Sequence, residues 1–151
     1  MKAKRILVPV DFGANQGKAM ELATTLARDT GAKLYIVHVE EPVVVTSVGG
    51  SSYAEPAAAS VEHKDETIQL LRQAVPTAAD VECEHHILSG WPADAIVEYA
   101  DKIHADSIVM STHGRTGISR VLMGSVAEAV VRRASCPVIT LKDQVDEAEE
   151  E

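Results

Sequence analysis

Five short runs rich in β-branched residues, separated by segments with helical spacing, constrain this chain more than any other feature of its 151 residues. Residues 5–10 (RILVPV) read as a buried strand that runs into the loop residues Asp11, Phe12 and Gly13. Ala19, Leu22, Ala23 and Leu26 then recur at i, i+3, i+4 and i+7, one apolar helical face, with Gly31 placed as its C-terminal cap. Residues 33–39 form the second strand. Ile68, Leu71 and Val75 mark the second helix, which Pro76 helps to end. Residues 81–88 form a third strand whose mixed polarity predicts a sheet edge. Gly90, Trp91 and Pro92 open a third helix with proline in its first turn, and Ala93, Ile96, Val97, Ala100 and Ile103 lie on its inner face. Residues 107–110 are a central strand, 125–134 the fourth helix and 137–141 the last strand.

Strand and helix alternating in this way imply right-handed crossovers and a parallel sheet covered on both faces, an α/β doubly wound architecture. The palette agrees: 46% of residues are hydrophobic but only 3% aromatic, so Val, Ile, Leu and Ala must fill the core. The expected organisation is one domain over residues 1–141 and an acidic, disordered tail over 142–151. Residues 40–59, with Pro42, Gly49, Gly50, Ser51, Ser52 and Pro56, predict a long mobile loop. A net charge of −9 argues against nucleic acid or an anionic membrane as partner. No apolar run approaches the roughly 20 residues that span a bilayer, and the start is too short for a secretory segment. Cys83 and Cys136 then read as reduced thiols of a cytoplasmic protein.

In a parallel sheet, ligands sit beyond the carboxyl ends of the strands, which directs attention to the loops after strands one, two and four. The last of these reads Ser111, Thr112, His113, Gly114, Arg115, Thr116, Gly117, and Gly124 and Ser125 precede the fourth helix. Helix N-terminal N–H groups flanked by glycine suit an anion. Residues 113–133 carry four arginines against the single acid Glu128, which favours an anionic ligand in an otherwise acidic chain. The same glycines also suit tight turns, and spacing alone leaves both readings open. Neither a P-loop nor a dinucleotide glycine fingerprint is present. His85 and His86 are adjacent in a strand, so they point to opposite faces and cannot chelate one metal together. His113 has no metal-spaced partner, no nucleophile has a base at a known spacing, and Trp91 reads as a rim aromatic. The expectation is therefore no catalytic residue and no protein-built metal site.

Residues 4–141 resemble the universal stress protein family, on the strength of ILVPVDF, VHV, GWPADAI and MSTHGRTG…LMGSVAEAVVRRASCPVI. Members that bind ATP carry G-x-x-G-x9-G-[S/T]. This chain matches its second half, Gly114 followed by nine residues and then Gly124 and Ser125, but has Ser111 in place of the first glycine. The resemblance implies a Rossmann-like five-stranded sheet of order 3-2-1-4-5. It places Asp11 toward ribose and adenine, and the Val39 main chain on the adenine edge. Gly114, Gly124, Ser125 and Val126 would hold the phosphates, with His113 and Arg115 in reach and Mg²⁺ entering on the phosphate oxygens. It also implies a homodimer through the last strand, around Val138 and Thr140, and an unidentified protein partner. Three functions are weighed: an ATP-binding stress or signalling module, which is favoured; a dimeric interaction protein of the same fold that binds no nucleotide, for which Ser111 speaks; and an ATP-hydrolysing enzyme, for which at most slow hydrolysis is expected.

Overall fold

The computed structural model of the chain describes residues 3–13, 16–42, 46–47, 50–51, 60–112 and 123–142. Its strands are β1 (Arg5–Pro9), β2 (Lys33–Glu40), β3 (Thr46–Ser47), β4 (Gly50–Ser51), β5 (Cys83–Ser89), β6 (Ser107–Ser111) and β7 (Val138–Leu141). The helices are α1 (Gln16–Thr30), α2 (Ser60–Gln73), α3 (Pro92–Ile103) and α4 (Ser125–Arg133). The main sheet runs β5-β2-β1-β6-β7 with every pair parallel. Numbering only these five strands gives 3-2-1-4-5, the Rossmann-like doubly wound order expected.

Alternation along each strand divides the core in two. Ile6, Val8 and Val10 face Ala19, Met20, Ala23 and Ala27 of α1 and Leu71 of α2. Leu7 faces the other way, into a cluster with Ile96, Val97 and Ala100 of α3 and Ala127 and Val130 of α4. Period-two strands and period-3.6 helices meet on both faces, and Leu7, Val8, Leu34, Ile36 and Ile108 are entirely buried.

Asp106, just before β6, fastens the amino-terminal end of the sheet. Its Oδ2 accepts the N–H groups of Lys4 and Arg5 at 2.7 and 2.9 Å, and its own N–H donates to the Arg5 carbonyl at 2.8 Å. Those donors hold the Asp106 carboxyl below its usual range.

Where structure and sequence reading differ, the causes are local. The third strand starts at Cys83 rather than at residue 81, because Val81 is turned into the core from a bend in which its N–H meets the Ala78 carbonyl. Within the expected loop 40–59, Thr46–Ser47 pairs antiparallel with Gly50–Ser51. The rest of that loop beyond residue 42 and before residue 60, and the tail from residue 143, lie outside the described residues. The C-terminal glycine of α1 is as expected: Gly31 has φ +76° and its N–H closes on the Ala27 carbonyl at 2.8 Å.

Candidate functional site

A cleft of about 470 Å³ opens at the carboxyl ends of β1, β2 and β6. Strand lengths create it. β1 is paired to β2 only as far as Pro9 and Val37, whereas β2 continues beside β5 through Val39 and Glu40. On its other side β1 pairs with β6 only at Ile6 and Leu7, after which β6 runs on with β7. The sheet therefore splays beside β1, where the strand order reverses, and a crevice there is open to a ligand.

One wall is the turn after β1. Asp11 Oδ1 accepts the Gly13 N–H at 2.9 Å, and the Gln16 side chain from the first turn of α1 accepts the N–H groups of Asp11 and Phe12 at 3.2 and 2.8 Å. Phe12 has φ 63°, a left-handed conformation unusual for an aromatic residue, and its ring lies 4.4 Å from that of His38. His38 Nδ1–H donates to the Val10 carbonyl at 2.8 Å. Because a carbonyl only accepts, the proton is on Nδ1.

The opposite wall is the start of α4. Gly124 is its N-cap, with no side chain capping the helix, so the first-turn N–H groups lack intrahelical partners. The Gly124 N–H itself is committed, donating to the Thr112 carbonyl at 2.7 Å. That removes it from the expected set of phosphate donors. What Gly124 brings to the cleft is the absence of a side chain.

The cleft thus gathers six of the expected residues: Asp11, Val39, Ser111, Gly124, Ser125 and Val126 all line it. His113, Gly114 and Arg115 lie outside the described residues. The expectation drawn from clustered arginines is corrected in part. Arg132 and Arg133 sit in the last turn of α4, at the far end from the cleft, where Arg132 meets Glu128 at 2.6 Å and Arg133 pairs with Asp94. Among the described lining residues the charged side chains are instead two carboxylates, Asp11 and Glu41. Sequence reasoning missed Gln16, Phe12 and His38. Only the position of Gln16, at the start of a helix that follows an Asp-Phe-Gly turn, carried a signal.

The remaining candidates lie elsewhere. His85 Nε2–H donates to the Ala74 carbonyl at 2.7 Å on one face of the sheet, and His86 meets the Tyr99 ring at 5.5 Å on the other. Cys83 and Cys136 belong to opposite core clusters, and burial raises both thiols above their usual pKa. Trp91 precedes Pro92 and is 53% exposed. β7 ends the sheet, and Val138 and Ile139 pack on its two faces. No helix among the described residues is long and apolar enough to cross a membrane.

Comparison with known proteins agrees with this architecture. A family model described as the universal stress protein family matches residues 2–142. A curated universal stress protein of Methanocaldococcus jannaschii is 36% identical, the match covering 92% of this chain and 82% of the relative. Among solved structures, a universal stress protein in complex with cAMP is 25% identical with a TM-score of 0.73, covering 95% of this chain and 100% of that one. A universal stress protein from Archaeoglobus fulgidus in complex with dAMP is 26% identical with a TM-score of 0.61, covering 94% and 100%.

Proposed function

The chain belongs to the universal stress protein family, and on that premise we propose that its cleft binds an adenine nucleotide. The observation that carries the reading is the convergence, in one cleft of about 470 Å³, of an uncapped helix N-terminus, an acceptor carboxylate and an open strand edge. Each suits one part of the ligand. The N–H groups of Ser125 and Val126, with the Ser125 hydroxyl, suit phosphate at the positive end of α4. Asp11, acceptor-only when ionised, suits the donor hydroxyls of a ribose. The backbone of Val39, beyond the end of β1, offers donor and acceptor groups to an adenine edge. Relatives of this fold in complex with cAMP and dAMP support the adenine class.

ATP is the nucleotide proposed, with Mg²⁺ held by phosphate oxygens rather than by a protein cage. The module acts in the cytoplasm as a homodimer joined through the β7 edge at Val138 and Thr140, and signals through a protein partner. A stress-response role for that pair follows from family membership. A binding role, with at most slow hydrolysis, is the reading taken for this cleft.

A thermal-shift series with ATP, AMP and inorganic phosphate tests the reading. Ligand that binds only the folded state raises the midpoint with concentration. A rise with ATP or AMP that phosphate alone does not reproduce supports it, and no rise with either nucleotide at millimolar concentration overturns it.

A further inference from the structure

We propose that Gln16 and His38 are positioning residues that aim the Asp11 carboxylate into the cleft and so set its selectivity for a sugar hydroxyl. The inference rests on the nucleotide reading of that cleft. Asp11 stands on a turn that would not hold itself. Its neighbour Phe12 has φ 63°, which costs a non-glycine residue free energy unless its surroundings enforce it.

Two side chains from different elements supply that enforcement. Gln16 Oε1 takes both the Asp11 and the Phe12 N–H, while its own N–H reaches the Gly13 carbonyl at 3.4 Å. Three contacts therefore tie α1 to the turn. From the sheet, His38 donates to the Val10 carbonyl and lays its ring against Phe12, so the residues on both sides of Asp11 are gripped.

The consequence for Asp11 is a fixed carboxylate. Oδ1 is engaged by the Gly13 N–H at 2.9 Å, and among the described residues Oδ2 accepts no hydrogen bond. One oxygen anchors the group and the other is offered to a donor. An acceptor held in place before the ligand arrives discriminates between a hydroxyl and its absence, because no ordering has to be added on binding. Gln16 and His38 line the same cleft but would act through Asp11 rather than on the reacting or binding atoms of the ligand.

The test combines two readouts on full-length wild type, Gln16→Leu, Gln16→Glu and His38→Leu. Amide hydrogen exchange at Asp11 and Phe12 in the ligand-free protein reports the turn. Affinities for AMP, 2′-deoxy-AMP and 3′-deoxy-AMP report selectivity. The expected result is exchange about tenfold faster at those two amides in Gln16→Leu. The preference for AMP over at least one deoxy analogue should fall about tenfold in Gln16→Leu and His38→Leu while affinity for that analogue holds. Gln16→Glu, which keeps an acceptor oxygen, restores both. A merely structural role would weaken all three ligands together and leave the preference intact, and that result overturns the inference. Unchanged exchange in Gln16→Leu overturns it as well. If wild type binds none of the three, the nucleotide reading itself has failed and the inference falls with it, a case told apart by the wild-type titration alone.

Discussion

Gly124 donates its N–H to the carbonyl of Thr112 at 2.7 Å, which fastens the N-cap of α4 to the residue that follows β6. Thr112 is 6% exposed and makes a second connection, donating both its N–H (2.9 Å) and its Oγ1–H (3.0 Å) to the Leu141 carbonyl. One residue thereby joins the end of β6, the end of β7 and the N-cap of α4. The arrangement fixes where the helix N-terminus points and ties it to the edge strand.

Thr112→Val keeps the shape of this residue and removes the hydroxyl bond to Leu141. The Leu141 carbonyl retains the Thr112 N–H, so losing this bond should cost at least about 1 kcal/mol, the value of one neutral hydrogen bond. Urea unfolding of the two proteins measures it. A variant as stable as wild type would show that the hydroxyl contributes nothing at this junction.

Asp106 supplies a pH-dependent share of stability. Its carboxyl is held below the usual range by the Lys4 and Arg5 N–H groups, so the folded state favours the ionised form. The resulting stabilisation is present above the unfolded-state pKa of about 3.9 and is lost as pH falls through the lower folded value. Asp106→Ala should cost about 1 kcal/mol at pH 7, a value reduced by solvent screening, and the gap should close in strong acid. Stability curves for both proteins from pH 7 to pH 2 check this, and a gap that widens in acid would contradict the sign.

Much of this fold is legible because its strands are short and buried on both sides. Ile6, Leu7, Val8, Leu34, Ile36, Ile108 and Val109 are β-branched or leucine, and their runs stand out against the helical spacing of Ala19, Ala23 and Ala27. The edge strand β5 was harder to delimit. Val81 belongs to the core yet lies in a bend, and apolar character alone does not separate core from strand. In the cleft, loop positions after parallel strands pointed to the segment that carries Gly124 and Ser125, whereas Asp11 and Val126 came from the family resemblance. The Gln16 and His38 contacts with the Asp11 turn were not, since they depend on a left-handed Phe12 and on two side chains brought together by folding. Of the four clustered arginines, Arg115 and Arg120 lie outside the described residues, and the other two were misplaced for a related reason. Residues 132 and 133 are close in sequence to Gly124 but lie more than one helical turn away from it, and they pair with Glu128 and Asp94.

Ser111 lines the cleft and pairs with Leu141 in the β6-β7 ladder. The proposed nucleotide site keeps the serine in place, so Ser111→Gly should change ATP affinity by less than about tenfold. Stability should fall by about 0.5–1 kcal/mol, the conformational cost of glycine inside a strand. Parallel calorimetric and unfolding measurements separate the two effects, and a far larger gain in affinity would identify Ser111 as an obstruction.

Calorimetric titration of ATP with Mg²⁺ into nucleotide-stripped wild type and Gly124→Val decides whether the cleft at the α4 N-terminus takes a nucleotide. Gly124 has φ −58° and ψ 152°, a conformation open to any L-residue, and its N–H bond to Thr112 survives the substitution. The new side chain should therefore fill the approach to the α4 N-terminus without unfolding the protein. Saturable binding to wild type is expected, with none, or at least a hundredfold weaker binding, to a folded Gly124→Val. Equal heats from both proteins, or none from wild type at millimolar ATP, would contradict it.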